Sequence, residues 1–185
     1  MMTELSLNVL DVAQNSVKAK ASLIEISVDS SLEKDLMTII IKDNGCGMNE
    51  EQLSRVCDPF YTTRTTRKVG LGVSFFKLAA ECSDGDFSIT SKVGVGTTVT
   101  ASFRISHIDR MPLGDMTSTI YSLITLNTDI DFVYSYSVDD RKFVLDTREL
   151  REILGDVPFD TPEVSAYIRD FLTENKLEAD AGNIL

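Results

Sequence analysis

The chain has few of the residues that build disulfide frameworks, and it has no long apolar run. Its 185 residues include three cysteines, at positions 46, 57 and 82, which form no C-x-x-C pair. Such cysteine usage argues against a disulfide framework or a zinc site, and it predicts a reducing, cytoplasmic location. No run approaches the roughly 18 apolar residues of a membrane span. The first residues also lack the basic and apolar segments of a signal peptide.

Positive charge is also scarce, and the deficit is uneven along the chain. The formal net charge is -11. Residues 1–106 carry 13 acidic and 11 basic side chains, whereas residues 107–185 carry 16 and 7. An acidic surface disfavours nucleic acid and anionic membranes as partners. The acidic C-terminal part is either a solubilising surface or a docking face for a basic partner.

Hydrophobic periodicity divides the chain into two blocks, 1–106 and 107–185. In the first block it predicts helices at 5–19 (with Thr3 as the N-cap), 49–57 and 71–82. It predicts strands at 23–29, 36–42, 86–92 and 97–105. In the second it predicts elements at 115–126 (helix), 131–138, 142–145, 147–154 (helix) and 163–175 (helix), followed by ten frayed residues. The pattern indicates an α/β two-layer sandwich, with a mixed, mostly antiparallel sheet covered by helices on one face. A small α+β annex follows it.

The most informative motif is D-N-G-C-G-M at residues 43–48. Asp43 ends a β-branched run, and Gly45 and Gly47 follow at a spacing of two. A carboxylate at a strand end can accept a hydrogen bond from an exocyclic amine, and glycines let a flat ring approach the backbone. Alone, the motif is equally typical of an ordinary turn. It gains weight because three other segments have the chemistry of the same nucleotide site.

A polar stripe on the first predicted helix is the second of these segments. Its members lie three, four and three residues apart, which places them on one helical face: Asn8, Asp11, Asn15 and Lys18. The Asn15 amide oxygen could ligate Mg²⁺, Asp11 could orient or deprotonate a water, and Lys18 could meet a phosphate. The alternative is the solvated face of an amphipathic helix.

Two further segments complete the set. The first is a loop whose cations precede a glycine-bracketed helix start: Arg64, Arg67, Lys68, Gly70 and Gly72. Free N–H groups and the dipole at a helix N-terminus attract phosphate, so this loop suits a lid over a triphosphate, although it could be an ordinary solvated basic loop. The second segment is G-V-G-T-T at residues 94–98, where Thr97 or Thr98 could reach a base edge.

In this order, the segments resemble the N, G1, F, G2 and G3 boxes of the GHKL (Bergerat-fold) ATPase superfamily. The superfamily groups gyrase-type, chaperone-type, histidine-kinase and mismatch-repair ATPases around one ATP-binding fold. The resemblance spans about residues 5–106. D-P-F-Y-T-T-R at 58–64, followed by G-L-G-V at 70–73, resembles the histidine-kinase signature. The resemblance therefore implies a histidine-kinase-like ATPase domain in residues 1–106 that binds ATP and Mg²⁺.

The resemblance also implies a role for individual residues. Asn15 matches the Mg²⁺ ligand, and Asp43 matches the carboxylate that reads the adenine amino group. Lys18 and either Arg64 or Arg67 match cations that reach phosphate. The other positions matched to the nucleotide site are Gly45, Gly47, Met48, Phe60, Thr63, Lys68, Gly70, Leu71, Gly72, Thr97 and Thr98.

Two departures from the family pattern leave the output open. Hydrolytic members carry Glu as general base one turn before the metal asparagine, whereas this chain has Asp11, which is shorter by one methylene. A histidine kinase needs a phosphoacceptor histidine on a dimerising helical hairpin. Here about four residues precede the first predicted helix, and the sole histidine, His107, follows the ATPase-like part. We therefore expect the chain not to be a self-contained histidine kinase.

The leading hypothesis is an ATP–Mg²⁺-binding, kinase-like or switch subunit that acts in signalling on a separate, unidentified protein. One alternative is a slow ATPase in which Asp11 positions water. Another is a non-catalytic sensor or binding module for ATP or ADP. Residues 107–185, including the apolar helix 115–126, could supply a partner surface or a homodimer face.

Overall fold

Six strands form one mixed sheet in the computed structural model of the protein, which describes residues 3–57 and 71–181. The strands are β1 (Leu23–Ser31), β2 (Leu36–Asp43), β3 (Phe87–Lys92), β4 (Gly96–Arg104), β5 (Asp131–Val138) and β6 (Arg141–Asp146). Their order across the sheet is β3-β4-β2-β1-β5-β6. Strands β1 and β5 run parallel, and the other neighbouring pairs run antiparallel.

The helices of the described ranges follow the predicted order, with capping residues that explain several of their starts. They are α1 (Leu5–Lys18), α2 (Glu50–Arg55), α3 (Leu71–Glu81), α4 (Met116–Leu126), α5 (Thr147–Leu154) and α6 (Pro162–Asp180). Asn49 and Gln52 form a capping box at α2, and Asp115 accepts the Ser118 amide at the start of α4. None of these helices has both the length and the apolar composition needed to cross a membrane.

Several predicted helix ends are wrong, among them those of α2, which was predicted over 49–57 and spans Glu50–Arg55. The N-cap of α1 is Glu4 rather than Thr3, and its side chain makes no capping hydrogen bond. Helix α6 continues to Asp180, five residues beyond its predicted end and into the segment expected to fray. One reason is tertiary, because the Tyr136 hydroxyl of β5 donates to Asp180 Oδ1 at 2.5 Å. The other is local, because Lys176 pairs with Asp180 one turn along the same helix, with Nζ 2.5 Å from Oδ2.

The core lies on one face of the sheet. Along each strand, alternate side chains point to opposite faces, and the inward set is apolar: Ile24, Ile26, Val28, Met37, Ile39, Ile41, Val99, Ala101, Phe103, Phe132 and Tyr134. Buried side chains of α1, α3, α4 and α6 join this set in one cluster. The opposite face carries partly exposed polar groups, such as the Glu25–Lys42 ion pair at 2.6 Å. The predicted two-layer α/β fold is therefore confirmed.

The sheet continues past residue 106, where the sequence pattern changes. Strand β5 pairs with β1 along eight positions, from Leu23 opposite Asp131 to Ser30 opposite Val138. Phe132, Tyr134 and Tyr136 enter the same core as the β1 side chains. The division into an ATP-binding domain and a C-terminal extension stays a prediction, and the strands on its two sides share one sheet.

Asp35, in the turn between β1 and β2, connects that turn to the end of β4. It accepts hydrogen bonds from the Ser106 amide at 2.8 Å and the Ser106 hydroxyl at 2.5 Å, and Arg104 Nε lies 3.1 Å away. Hydrogen bonds from Ser106, together with the Arg104 guanidinium, lower the pKa of Asp35 below its ordinary value. The ionised carboxylate is therefore the form that stabilises the fold.

We expect the Asp35→Asn variant to be less stable than the wild type at neutral pH, by an amount that shrinks in acid. Asparagine tolerates the left-handed backbone of this position (φ 54°), so the substitution tests the charge. Because the folded pKa is lowered, the stabilisation is present above the ordinary carboxyl pKa and is lost as pH falls through the folded value. Urea denaturation across the acid range measures this. A difference that stays constant down to the lowest pH would contradict the assignment.

Candidate functional site

Asp43, the last residue of β2, has an almost completely buried side chain, 9% exposed. Its Oδ2 atom accepts a hydrogen bond from the Ser16 hydroxyl at 2.6 Å. Its Oδ1 atom accepts the Gly45 amide at 2.9 Å and the Thr97 amide at 3.3 Å. The carboxylate is thus held by helix α1, by its own loop and by strand β4. Since an ionised carboxylate has about four acceptor positions, three of them are used and its orientation is set.

Glycines around Asp43 allow segments of backbone to pass very close to one another. A Cβ on Gly47 (φ +66°) would lie 2.0 Å from the Lys92 carbonyl oxygen, and one on Gly96 (φ +130°) would lie 1.9 Å from the Asp43 carbonyl oxygen. A Cβ on Gly45 would lie 2.8 Å from the Ala19 Cβ. The atoms that a Cβ at these positions would clash with are atoms of the protein's own backbone and side chains. The motif 43–48 is therefore packed between the end of α1 and the β3–β4 turn.

The structure distinguishes the two candidate threonines. Thr97 is the register partner of Asp43, and Thr98 is the partner of Lys42. Because side chains alternate along a strand, Thr97 lies on the Asp43 face and Thr98 on the opposite face. The Thr97 hydroxyl lies 2.8 Å from the Ser91 hydroxyl, which in turn accepts the Met48 amide at 2.8 Å. Met48, Thr97 and Asp43 thus come together at one end of the sheet.

Sequence reasoning missed two hydroxyl groups of this site, Ser16 and Ser91. Ser16 lies on the buried face of α1 with Val9, Val12 and Ala13, where helical periodicity alone places it in the apolar core. A polar side chain on an apolar face needs a buried partner, and that requirement was the available signal. Ser91 similarly continues the partly buried, alternating series of β3.

The polar stripe of α1 passes from the core to the surface. Asn8 is fully buried and its amide donates weakly to the Glu4 carbonyl at 3.4 Å, whereas Asn15 and Lys18 are exposed. Asp11, between them, is half-buried. A Cβ on Gly72 would lie only 2.5 Å from Asp11 Oδ2. The Asp11 carboxylate therefore packs against the first turn of α3, where the helix dipole favours negative charge.

The predicted lid lies outside the described residues. This applies to Phe60, Thr63, Arg64, Arg67, Lys68 and Gly70, and to the side chain of Leu71. Their roles stay predictions. Among the described positions, the structure brings Asp43, Gly45, Gly47, Met48 and Thr97 together, and it separately brings Asp11 to Gly72. Asn15 directly precedes Ser16 in the chain, so its backbone lies next to the residue of α1 that contacts Asp43.

Comparisons with known proteins give the family of the first block of the chain. A family model described as "Histidine kinase-, DNA gyrase B-, and HSP90-like ATPase" matches residues 2–107. A putative sensor protein of Shewanella frigidimarina is 32% identical over 104 residues, which cover 56% of this chain and 16% of that protein. The signal transduction histidine-protein kinase AtoS of Escherichia coli is 30% identical over 92 residues, 49% of this chain and 15% of that protein. The chain thus matches about a sixth of the length of these relatives.

A solved structure has the same fold. It is described as the crystal structure of the N-terminal domain of a DNA repair protein, and it superposes with a TM-score of 0.57 at 20% sequence identity. The superposition covers 78% of this chain and 53% of that chain. The likeness shows the fold alone. It extends beyond residue 107, at which the family match ends.

The contact between Asp11 and Gly72 predicts a rescue. Gly72→Ala should destabilise the protein because the new methyl group overlaps the Asp11 carboxylate. The overlap costs at most about 1–3 kcal/mol, and the higher helix propensity of alanine offsets roughly 1 kcal/mol of it. Asp11→Ala should recover most of this loss in the double variant, where the remaining close contact is the Asp11 Cβ at 3.3 Å. Urea denaturation of the wild type, both single variants and the double variant gives the coupling free energy. Additive effects of the two substitutions would show that the two residues do not share this contact.

Proposed function

Because the chain belongs to the histidine kinase-, DNA gyrase B- and HSP90-like ATPase family, we propose that it binds ATP with Mg²⁺ and acts in signalling on a separate cytoplasmic protein. In this role it is a kinase-like or switch subunit. The observation that carries the proposal is the buried Asp43 carboxylate at the end of β2, with its hydrogen bonds to Ser16, Gly45 and Thr97.

The adenine end of the proposed site rests on the acceptor chemistry of Asp43. An ionised carboxylate only accepts hydrogen bonds, and its two oxygens have about four acceptor positions. Protein groups use three of them, two at Oδ1 and one at Oδ2. The remaining acceptor suits the exocyclic amino group of adenine. Burial strengthens such a hydrogen bond, because little water competes for the carboxylate.

The metal and phosphate end rests on the exposed residues of α1. Asn15 and Lys18 are both exposed and lie three residues apart on this helix, so their polar ends are accessible to a ligand. Mg²⁺ takes oxygen ligands and usually keeps several waters, and a single amide oxygen from Asn15 fits that habit. When bound, Mg²⁺ would neutralise phosphate charge, and Lys18 would add a positive charge nearby. Phosphoryl transfer depends mainly on this positioning and charge stabilisation.

A second candidate function, slow ATP hydrolysis, is favoured by the position of Asp11. Its carboxylate lies one turn before Asn15 and against the first turn of α3. A general base must lie within hydrogen-bonding reach of the proton it removes. Asp11 could meet that condition if a phosphate lies at the N-terminus of α3. In the remaining possibility, a nucleotide sensor, ATP would be bound without turnover.

We expect Mg²⁺-ATP to raise the melting temperature of the wild type and Asp43→Asn to weaken ATP binding by about tenfold or more. The matched control is Asp146→Asn. Asp146 also ends a strand and accepts the amide two residues later at 2.9 Å, but it does so on β6. Titration calorimetry of the three proteins gives the affinities. If millimolar Mg²⁺-ATP produces neither a thermal shift nor heat with the wild type, the proposed function is wrong.

Incubation with γ-labelled ATP separates the possible outputs. Transfer of label to protein supports the kinase-like role, and release of free phosphate supports hydrolysis. If Asp11 is the general base, Asp11→Asn should lower phosphate release by about 10²–10⁴-fold while ATP affinity changes little. Unchanged turnover in this variant would exclude Asp11 as the base. Binding without transfer or release would favour the sensor.

A further inference from the structure

Helix α1 contains two buried serines that donate to carboxylates, and one of these carboxylates is Asp43. The Ser6 hydroxyl donates to Glu4 Oε1 at 2.6 Å, which is a local contact. The Ser16 hydroxyl donates to Asp43 Oδ2, also at 2.6 Å, across 27 positions of the chain. Ser16 is 3% exposed, so little water competes with its hydroxyl for the hydrogen bond to Asp43.

We propose that Ser16 is a positioning residue whose hydroxyl sets the direction in which Asp43 offers its remaining acceptor, and thereby selects purines with a 6-amino group over purines with a 6-oxo group. This inference rests on the proposed function, in which Asp43 reads the base. It adds a residue that acts on the base through Asp43.

The argument starts from the two oxygens of Asp43, which are held differently. Oδ1 accepts two backbone amides, from Gly45 and Thr97, and a substitution other than proline leaves both donors in place. Oδ2 is held by the Ser16 hydroxyl, a contact that a single substitution removes. The terminal torsion of aspartate has a broad energy profile. Without Ser16, the carboxylate would be held from the Oδ1 side alone and could pivot about its Cβ–Cγ bond.

This difference affects selectivity because an acceptor discriminates well only when it is fixed. A fixed Oδ2 with one free acceptor position rewards a donor and leaves a 6-oxo group facing it without a hydrogen bond, which is costly in a buried site. A carboxylate that can turn, with two acceptor positions open, can instead hold a water between itself and a 6-oxo group. Loss of Ser16 should therefore weaken ATP binding more than ITP binding.

The same contact has a structural consequence, since it also joins α1 to β2. A substitution at Ser16 could lower stability without any effect on base selection, and affinity for ATP alone would not separate these effects. The ratio of the ATP and ITP affinities does separate them. Both nucleotides carry the same ribose and triphosphate, so a general loss of folded protein or of phosphate binding changes the two affinities equally.

The experiment compares the wild type with Ser16→Ala, Ser16→Cys and Ser6→Ala, using calorimetric titration with Mg²⁺-ATP and Mg²⁺-ITP. We expect Ser16→Ala to weaken ATP binding by roughly tenfold and ITP binding by clearly less, so that the ATP:ITP affinity ratio falls. Ser16→Cys keeps a side chain of similar size and a weak donor. Its ATP:ITP affinity ratio should lie between the ratios of the wild type and Ser16→Ala. Ser6→Ala removes a buried serine hydroxyl from the same helix, together with a serine–carboxylate hydrogen bond of the same length, and should keep the wild-type ratio.

The outcomes distinguish this inference from the proposed function. If the wild type binds neither nucleotide, the proposed function fails. If the wild type binds ATP and folded Ser16→Ala keeps its ATP:ITP ratio, the inference fails and the proposed function stands. Should Ser16→Ala not fold, Ser16→Cys decides the question, because a wild-type ratio with that weak donor would overturn the role of the hydroxyl. A fall of the ratio in Ser6→Ala as well would also overturn it.

Discussion

The burial of the Asp43 carboxylate is the constraint on which the geometry of the candidate site depends. A buried charge is costly unless hydrogen bonds compensate it, and here the donors come from three different elements: Ser16 of α1, Gly45 of the following loop and Thr97 of β4. All three elements must therefore be in place at once. A shift of β2 by one residue would move Asp43 to the open face of the sheet and separate it from the donors of α1 and β4, Ser16 and Thr97.

The first two residues of the motif 43–48 have different structural roles. Asp43 points into the core, whereas Asn44 holds the start of β1 by accepting the Ser22 and Leu23 amides at 2.9 Å each and donating to the Ser22 hydroxyl at 2.9 Å. The loop that follows is also held in place, since the Cys46 amide donates to the Ala19 carbonyl at 2.9 Å. Much of a motif that resembles a ligand site is thus used to join α1, β1 and β2.

The sequence predicted what depends on local pattern. Strand alternation and helix periodicity located the elements and most of their ends, whereas the predicted cap of the first helix, Thr3, is not the N-cap of α1. The order of the glycine-rich segments indicated the family, which the comparisons confirm for residues 2–107. Composition and periodicity were also sufficient to predict the fold class, because the alternation of apolar residues within each strand shows which of its faces is buried.

What the sequence could not predict depends on contacts between distant segments. Thr97 and Thr98 were equal candidates until the pairing of β4 with β2 showed which one shares a face with Asp43. Ser16 looked like part of an apolar face because its partner is 27 residues away. The last turn of α6 forms in part because Tyr136 of β5 reaches Asp180, a contact between residues 44 positions apart. The parallel pairing of β5 with β1 is likewise non-local.

That parallel pairing has a consequence for how the chain could be shortened or recombined in evolution. Strand β1 carries Ile24, Ile26 and Val28 into the core, and β5 covers one of its two hydrogen-bonding edges. A version ending near residue 106 would leave eight consecutive positions of that edge unpaired, and bare edges recruit strands from other chains. Strand β5 therefore covers an edge at which β1 would otherwise be open to pairing with another chain, and a shorter version would need a substitute strand or a charged residue on that edge.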